Sequence, residues 1–356
     1  MTPREHVALA GRCTLGVGGP ARYFVEATSE AGVREAFEWA RGHGLPLRVL
    51  GGGSNVVVPD EGVDALVMHV ALRGLDRRER NGAVELTAAA GEPWDDLVRF
   101  TVERGWAGLE CLSGIPGLVG ATPIQNVGAY GQEVSDTITA VRVLDTETGR
   151  RIVVPRNDCD FTYRDSRFKS GEPGRHVVLG VTYRLTPGGH ATVAYADIQM
   201  DLARRDITAP SLADVRESVL RVRRAKSMVL DPDDPNRRSC GSFFMNPIIA
   251  AAALTALEAR VDGRAMPRWP QPDGRVKLSA AWLIEQAGFR RGLRDGAVGL
   301  STRHSLAVVA HDGARACDVL AFAARLRDAV HDRFGVVLVP EPVVWAAGGL
   351  PAIARH

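Results

Sequence analysis

A serine beside a glycine is one side chain in the sequence that could take part in chemistry. Ser242 lies in the run Gly241-Ser242-Phe243-Phe244, and a neighbouring glycine allows a hydroxyl to be presented on an exposed turn. No G-x-S-x-G pattern surrounds it, so the nucleophile of a hydrolase is poorly supported, whereas a proton-donor role is chemically possible. Taken alone, a structural turn followed by two core phenylalanines is the commoner outcome.

Two ionisable side chains could act on a ligand, one by binding a carboxylate group and the other by donating a proton. Arg164, in the run YRDS, carries a planar guanidinium that can bind a carboxylate with two hydrogen bonds. Glu341 lies between two prolines, and a carboxyl group that becomes buried there would have a raised pKa and could act as an acid. Each has a structural alternative, which is a surface strand with exposed charges for Arg164 and a solvated strand end for Glu341.

Two segments rich in glycine have the composition of ligand-binding loops. In Gly51–Asn55 (GGGSN) the backbone can approach a ligand closely, and successive N–H groups can bind an anion. In Ser113–Gly131 few side chains are large, so a flat ligand could lie against the backbone while Gln125 and Asn126 bond its polar edges. Long irregular loops in compact domains are usually functional, which favours a ligand site for the second segment. For the first segment, a tight hairpin turn is an equally good interpretation.

The first glycine segment lies between predicted strands. Arg22–Ala27 has the composition of a strand, Ser29 has the position of a helix N-cap, and Leu45–Leu50 is predicted as the next strand. Strand character resumes at Val56–Val58, directly after Gly51–Asn55. Because the glycines do not open a helix, the fold is not a Rossmann dinucleotide fold.

The rest of the chain mixes strands and helices, which indicates the α+β class. Strands dominate from about residue 63 to residue 193, and the turn-rich run Asp231–Asn236 is predicted to be a linker. The other predicted strands are Ala65–Val70, Val84–Ala90, Ala140–Leu144, Arg151–Val154, Val177–Leu185 and Val336–Val339. The other predicted helices are Trp94–Arg104, Leu212–Lys226, Leu278–Ala287 and Ala316–Phe334.

Size and composition are those of an ordinary globular protein. A chain of 356 residues predicts two or three domains at roughly 100–200 residues each. The net charge of +2 gives no support for a nucleic-acid-binding surface. The five cysteines form no C-x-x-C pair and no zinc-ligand spacing, which favours reduced thiols in a cytoplasm and no metal. The N-terminus lacks an apolar signal segment and no apolar run could span a membrane, so neither secretion nor membrane insertion is expected.

The order of the motifs, rather than any single motif, points to a family. GGGSN is followed by SGIPGLVGATPIQNVGAYG, YRDS, GSFFMNP, a Trp282–Gln286 helix and a C-terminal Pro-Glu. Together they resemble the UDP-N-acetylenolpyruvoylglucosamine reductase (MurB) family, in its longer type with a substrate-loop tyrosine. The resemblance runs from about Leu15 to Trp345. Its specific parts are the long glycine-rich stretch and GSFF, since GGGSN is shared with a wider group of FAD-binding proteins.

This resemblance implies an α+β fold of three domains. Two of them, residues 1–70 and 71–225, would form an FAD-binding module of the PCMH/VAO-like type. An α/β domain of residues 226–345 would bind the substrate, and a tail of residues 346–356 could return to the first domain. The resemblance implies non-covalent FAD, NADPH as co-substrate and a cytoplasmic, monomeric enzyme.

The implied reaction is the reduction of UDP-N-acetylglucosamine enolpyruvate to UDP-N-acetylmuramate in peptidoglycan precursor synthesis. Hydride would pass from reduced flavin to the terminal vinyl carbon, and the adjacent carbon would receive a proton from Ser242. Arg164 and protonated Glu341 match the family's pair that stabilises the enediolate-like intermediate. Substrate contacts are implied for Tyr163, Tyr195, Arg223, Lys226, Asn246 and Gln286. Flavin contacts are implied for Gly51, Gly52, Gly53, Ser54, Asn55, Ser113, Ile115, Pro116, Gly120, Ala121, Gln125, Asn126, Gly128, Ala129, Tyr130 and Gly131.

Alternatives remain for the function and for two of these residues. Arg223 and Lys226 could form a solvated basic helix face. A flavin-dependent oxidase of the same superfamily would share GGGSN, but many such oxidases tether FAD through a histidine near the glycine loop, and residues 51–60 contain none. A non-catalytic nucleotide-sugar-binding protein would have no need of Ser242, Arg164 and Glu341 together.

Overall fold

The contacts within the chain divide it into two units. A computed structural model describes residues 1–261 and 263–345, so the predicted tail 346–356 lies outside the described residues. Unit 1 comprises Met1–Val7, Ala21–Gly53 and Asp64–Leu230, whereas unit 2 comprises Ala8–Pro20, Ser54–Val63 and the described residues from Asp231 onward. This last boundary coincides with the turn-rich linker. The finer division into three domains stays a prediction.

Helices and strands follow one another irregularly along the chain, which confirms the predicted α+β class. The helices in the described ranges are α1 (Glu30–Gly42), α2 (Trp94–Glu103), α3 (Ala196–Arg204), α4 (Leu212–Ala225), α5 (Ala251–Glu258), α6 (Ala280–Gln286) and α7 (Ala316–Phe334). The strands up to residue 133 are β1 (Arg4–Ala8), β2 (Pro20–Ala27), β3 (Leu47–Leu50), β4 (Val56–Val57), β5 (Val63–Val70), β6 (Leu75–Arg80), β7 (Ala83–Ala89), β8 (Trp106–Ala107), β9 (Gly128–Ala129) and β10 (Gln132–Glu133). The later strands are β11 (Ile138–Asp145), β12 (Arg150–Pro155), β13 (His176–Pro187), β14 (Ile248–Ile249), β15 (Arg268–Pro270), β16 (Val276–Leu278), β17 (Arg294–Asp295), β18 (Val298–Leu300), β19 (Val308–Ala310) and β20 (Val343–Val344).

Besides the two-stranded sheet of β9 and β10, unit 1 is built on two larger sheets. The smaller has the strand order β1-β2-β5-β3, in which β3 runs parallel to β5. The larger is antiparallel, with the order β12-β11-β13-β7-β6 and β8 beside β13. In β7 the buried residues Val84, Leu86 and Ala88 alternate with more exposed ones, which is typical of a sheet with one face on a core.

Helix ends follow the signals in the sequence. The Ser29 side chain caps α1 by accepting a hydrogen bond from the Gly32 N–H. Helix α7 ends at Gly335, which adopts the left-handed conformation with φ 71°. The helix predicted from Leu278 begins two residues later, because Ser279 caps α6 while Leu278 belongs to β16. None of the helices within the described ranges has the length and apolar character needed to cross a membrane.

The prediction of a final strand over Val336–Val339 is wrong. The side chains of Val337 and Val339 are 46% and 50% exposed, and the segment belongs to no sheet. It contacts the rest of unit 2 through a hydrogen bond from Met245 N to Val339 O of 3.0 Å. The strand that follows is β20, which runs parallel to β4. Unit 2 otherwise consists of two small antiparallel sheets, β14-β16-β15 and β17-β18-β19, with α5, α6 and α7.

Candidate active site

The two glycine-rich segments approach each other closely in unit 1. A Cβ added at Gly52 would lie 2.8 Å from Gly117 Cα, and one added at Gly51 would lie 3.9 Å from Ala121 Cβ. Since the atom that meets Gly52 is backbone, no larger residue fits there unless the second segment moves. Gly117 has φ 122°, a conformation that favours glycine. Close packing of the two segments therefore explains the glycine at position 52 without any ligand, and it brings together two stretches of backbone with few side chains against which a cofactor could lie.

Buried contacts fix the path of the second glycine segment. The hydroxyl of the fully buried Tyr183 lies 2.9 Å from Thr122 Oγ1. Gly120 N donates to Ala90 O at 2.8 Å, and a Cβ at Gly120 would come within 2.7 Å of Ala90 Cβ. Close packing against Ala90 therefore explains the glycine at this position without any ligand.

Two predicted flavin residues use their side chains within the protein. The buried Ser113 hydroxyl donates to a backbone oxygen at 2.6 Å. The Asn126 amide donates to Glu133 Oε2 at 2.8 Å and to Thr162 O at 3.0 Å. Asn126 also has φ 43°, which asparagine tolerates better than most residues. These side chains shape the segment, so a cofactor contact of either residue would involve its backbone.

Arg164 lies on a tight turn beside the second segment. Thr162 N donates to Asp165 O at 3.0 Å and Asp165 N donates to Thr162 O at 3.2 Å, so Tyr163 and Arg164 are the turn residues. The chain reverses direction here, and the alternative of a surface strand is wrong. Arg164 has φ 57°, and its Nη2 donates to Gly128 O at 2.5 Å. The guanidinium is thereby held against the backbone of the predicted flavin segment.

The predicted substrate residues Tyr195, Arg223 and Lys226 lie together with Tyr130. The rings of Tyr195 and Tyr130 meet edge to face with centroids 5.4 Å apart. Lys226 Nζ lies 5.9 Å from the centre of the Tyr130 ring and 2.5 Å from Asp197 Oδ2. Burial lowers the pKa of the Arg223 guanidinium, and its Nε has no hydrogen-bond partner among the described residues. A solvated basic face therefore does not describe Arg223, and the cluster has the chemistry to bind a phosphate group.

In unit 2 the segments that carry Ser242 and Glu341 lie side by side. Glu341 N donates to Phe243 O at 2.9 Å, and an antiparallel bridge joins Phe244 to Pro340. Phe243 and Phe244 are buried in the core of this unit, as the structural alternative for the run expects. Ser242 itself is partly exposed, so its hydroxyl can serve a ligand even though its neighbours serve the core.

Asn55, the last residue of the first glycine segment, belongs to unit 2, where it lies beside Glu341. Asn55 Nδ2 donates to Glu341 O at 3.3 Å, and Val343 N donates to Asn55 O at 3.0 Å. These two hydrogen bonds hold the main chain of Glu341 and Val343 beside Asn55.

The two amides assigned to substrate contacts lie at opposite ends of α6. Asn246 Oδ1 accepts from Ala280 N at 3.0 Å, at the start of the helix. Gln286 is its last residue and accepts a hydrogen bond from Arg264. Seven residues of helix span about 10 Å. The structure thus places these two side chains apart rather than in one cluster.

Asp95 is a residue of the site that the sequence analysis missed. Its carboxylate accepts from Gly114 N at 2.6 Å and from both terminal nitrogens of Arg216 at 2.6 and 2.8 Å. Burial alone would raise its pKa, but these hydrogen bonds bring the pKa below the ordinary value. Asp95 therefore joins α4, which carries Arg223, to the second glycine segment. Its sequence position gave no such signal, because an acid in the first turn of a helix is expected to serve the helix N-terminus.

Comparisons with known proteins agree with the order of the motifs. Residues 21–154 match the FAD binding domain family, and residues 233–345 match the C-terminal domain family of UDP-N-acetylenolpyruvoylglucosamine reductase. The UDP-N-acetylenolpyruvoylglucosamine reductase of Saccharopolyspora erythraea is 47% identical over 352 residues, which cover 96% of each chain. The enzyme of the same name from Streptomyces coelicolor is 46% identical over 342 residues, 94% of this chain and 88% of its own.

A solved structure extends the likeness to the fold. The crystal structure of the reductase from Thermus caldophilus has a TM-score of 0.68 and 28% identity, and the match covers 97% of this chain and 100% of its own. The predicted family and its FAD-binding module are confirmed. The chain belongs to the UDP-N-acetylenolpyruvoylglucosamine reductase family, and it is an FAD-dependent oxidoreductase.

Proposed function

We propose that this protein reduces UDP-N-acetylglucosamine enolpyruvate to UDP-N-acetylmuramate with NADPH, as a cytoplasmic monomer that serves peptidoglycan precursor synthesis. The observation that carries the proposal is the pairing of the segments that hold Ser242 and Glu341, through the 2.9 Å hydrogen bond from Glu341 N to Phe243 O. Ser242 and Glu341 therefore belong to neighbouring stretches of backbone, which supports a shared task in protonation next to a substrate carboxylate. Membership of a family named for this reduction supports the choice of substrate.

FAD would lie against the glycine-rich backbone of unit 1, where a side chain at Gly52 would collide with Gly117. When bound, it would take two electrons from NADPH and deliver them as hydride to the terminal vinyl carbon of the substrate. Peptide N–H groups of Gly51–Gly53 suit its pyrophosphate. The other residues proposed to hold it are Ser54, Asn55, Ser113, Ile115, Pro116, Gly120, Ala121, Gln125, Asn126, Gly128, Ala129, Tyr130 and Gly131.

Arg164 and Glu341 would stabilise the charge that develops on the substrate carboxylate. The Arg164 guanidinium is held on the backbone by the hydrogen bond to Gly128 O, so little reorganisation is needed when charge appears, and such preorganised donors lower a barrier by several kcal/mol. Glu341 would donate a second hydrogen bond in its protonated form. Both groups act on the same developing charge, so the loss of either should slow the reaction.

Ser242 would give its proton to the carbon next to the carboxylate. A serine hydroxyl is a weak acid, so it protonates only a strongly basic centre, and the carbanion-like carbon is such a centre. The binding of the nucleotide is a separate task, which we assign to Tyr163, Tyr195, Arg223, Lys226, Asn246 and Gln286. In this division the substrate is held by one set of residues and protonated by another.

The proposal is tested by the identity of the product. The FAD-loaded protein is incubated with NADPH and the enolpyruvyl nucleotide sugar, and the nucleotide fraction is analysed by mass spectrometry. We expect a product heavier than the substrate by two hydrogens. UDP-N-acetylglucosamine, which has no double bond to reduce, should come back unchanged. Consumption of NADPH without that product would overturn the proposed reaction.

A further inference from the structure

A buried carboxylate outside the proposed reacting groups collects three hydrogen bonds in unit 1. Glu110 is 1% exposed. Its Oε2 accepts from Gly108 N at 2.8 Å, and its Oε1 accepts from Gln132 Nε2 at 2.8 Å and from Thr192 N at 2.9 Å. A carboxylate is costly to bury unless it is hydrogen-bonded. The three donors must therefore stay in place around Glu110, which fixes the conformation of the segments that carry them.

Gln132 and Thr192 complete this group, which we call the Glu110 network. Gln132 is 6% exposed; its Oε1 accepts from Cys111 N at 2.8 Å, and its Nε2 also donates to Thr192 Oγ1 at 3.0 Å. The Cys111 thiol donates to Thr192 O at 3.3 Å. The N–H, the carbonyl and the hydroxyl of Thr192 are thus all bound by the network.

The two branches of the Glu110 network lead to Tyr195, which we assign to the nucleotide, and to Tyr130, whose ring meets that of Tyr195 edge to face. Thr192 comes three residues before Tyr195, in a segment without regular secondary structure. Gln132 comes two residues after Tyr130, and it pairs with Ala129 across β9 and β10. The two branches also touch, because a Cβ at Gly131 would lie 3.0 Å from Ala194 Cβ.

We propose that Glu110 and Gln132 are positioning residues that set the affinity for the nucleotide sugar by fixing Tyr130 and Tyr195. The segment before Tyr195 has no sheet or helix to hold it, so its conformation depends on the packing of Ala191 and Val193 and on hydrogen bonds, most of which are those of Thr192. This inference rests on the proposed function, since that function assigns Tyr195 to the binding of the substrate. It predicts an effect on substrate binding rather than on the chemical step.

The test uses Glu110→Gln in the FAD-loaded protein. This substitution replaces one carboxylate oxygen of Glu110 by an NH2 group. The NH2 group then faces a backbone N–H, either that of Gly108 or that of Thr192, and that N–H loses its acceptor. The flavin is reduced photochemically without oxygen and mixed rapidly with the enolpyruvyl nucleotide sugar. The half-saturating substrate concentration should rise about tenfold while the limiting rate of flavin reoxidation stays within about threefold, as expected when binding alone is impaired. Hydrogen–deuterium exchange at the Thr192 amide should also be faster.

Asp145→Asn is the matched control. Asp145 is a 3% exposed carboxylate of unit 1, and it binds Arg175 at 2.9 Å. This change should leave both the half-saturating concentration and the exchange at Thr192 as they are in the wild type. Equal shifts in the two variants, or a Glu110→Gln protein that matches the wild type in both measurements, would overturn the inference. A loss confined to the limiting rate would do so as well.

If Glu110→Gln does not retain FAD, a milder variant tests the positioning role instead. Thr192→Val removes the hydroxyl that accepts from Gln132 and keeps the backbone bonds. It should raise the half-saturating concentration about threefold, with faster exchange over residues 191–195. Unchanged values would count against the positioning role. If the wild-type flavin is not reoxidised at all, the proposed function fails, whereas the exchange measurement still reports on the network.

Discussion

Units 1 and 2 hold their functional groups in place by different means. In unit 1 the residues proposed to act lie on irregular backbone, with φ 43° at Asn126, 50° at Tyr130 and 57° at Arg164. In unit 2 the segments that carry Ser242 and Glu341 are joined main chain to main chain, and Phe243 and Phe244 beside Ser242 are buried in the core. Left-handed conformations at non-glycine residues cost on the order of 1 kcal/mol or more each, so unit 1 must offset them with side-chain hydrogen bonds.

Because of this difference, substitutions in the two units should have different effects, one on ligand affinity and the other on reaction rate. In unit 1 the glycines and buried polar side chains set the backbone path, so their replacement should disturb ligand binding. In unit 2 the pairing of Phe243 with Glu341 is formed by backbone atoms, so the side chains of Ser242 and Glu341 can be changed with little effect on the fold. Substitutions in unit 1, other than at Arg164, should therefore act mainly on affinity, and those at the proposed reacting groups of unit 2 mainly on rate.

The largest expected effect is the loss of FAD from Gly52→Val. The new Cβ would meet Gly117 Cα at 2.8 Å, and neither backbone segment can yield without moving the other. We expect a protein that folds but carries no flavin, as measured by visible absorption after purification and after reconstitution. Gly42→Ala is the control, because a Cβ at Gly42 meets nothing within 4 Å. Full flavin content in Gly52→Val would contradict the role given to the two glycine segments.

Ser242→Ala should keep its FAD and lose most of its rate. Removal of a general acid typically costs a factor of about 10² to 10⁴, and the neighbouring hydrogen bond of Phe243 O is formed by backbone atoms that the substitution leaves in place. The rate of flavin reoxidation by the enolpyruvyl nucleotide sugar measures the loss. Ser305→Ala, at a buried serine of the same unit, should react like the wild type. A Ser242→Ala protein with wild-type rate would remove the assigned proton donor.

Lys226→Met should act on affinity. Loss of a charged hydrogen bond costs about 1.5–3 kcal/mol, so the KM for the nucleotide sugar should rise roughly tenfold to a hundredfold, with kcat changed little. Arg224→Met, at an exposed cation on the same helix, is the matched control. The assignment fails if both variants raise KM equally, or if Lys226→Met lowers kcat while leaving KM unchanged.

The smallest effect is expected from Asp95→Asn, on the stability of unit 1. Its carboxylate is 39% exposed, so screening by solvent limits the expected loss at neutral pH to about 1 kcal/mol. The folded-state pKa of Asp95 is lowered, so the ionised group adds stability above about pH 4, and that stability disappears as the pH falls through the folded-state pKa.

Urea unfolding at several pH values measures this difference. The curves of wild type and Asp95→Asn should converge in acid, where the wild-type carboxylate is protonated. Asp96→Asn, whose exposed carboxylate pairs with Arg99, should differ little from the wild type at any pH. A gap between wild type and Asp95→Asn that does not narrow as the pH falls below about 4 would mean that the charge is not the cause.

Local signals in the sequence sufficed for many of the regular elements. Helices α1 and α7 were predictable because Ser29 and Gly335 mark one of their ends and buried residues recur at helical spacing. Val336–Val339 has the composition of a strand, but β-branched residues favour an extended chain without supplying a partner strand. The turn at Tyr163-Arg164 was not predictable, since an arginine gives no sign that its φ will be positive.

The proposed reacting groups are easier to find in the sequence than the residues proposed to position them. Ser242, Arg164 and Glu341 lie in motifs whose order along the chain identifies the family. Glu110 binds Gln132 and Thr192 across 22 and 82 positions of sequence, and no local pattern reports a hydrogen bond over such a distance. Residues of this kind become visible only when the fold brings them together.

One anaerobic experiment tests the central claim, which is that the protein reduces the enolpyruvyl nucleotide sugar through its flavin. The FAD-loaded protein is reduced with one equivalent of NADPH in the absence of oxygen, and the flavin spectrum is followed after the nucleotide sugar is added. We predict that the oxidised flavin spectrum returns fully after the nucleotide sugar is added, and that it returns much more slowly in Ser242→Ala. A flavin that stays reduced in the wild type after addition of the nucleotide sugar would contradict the account.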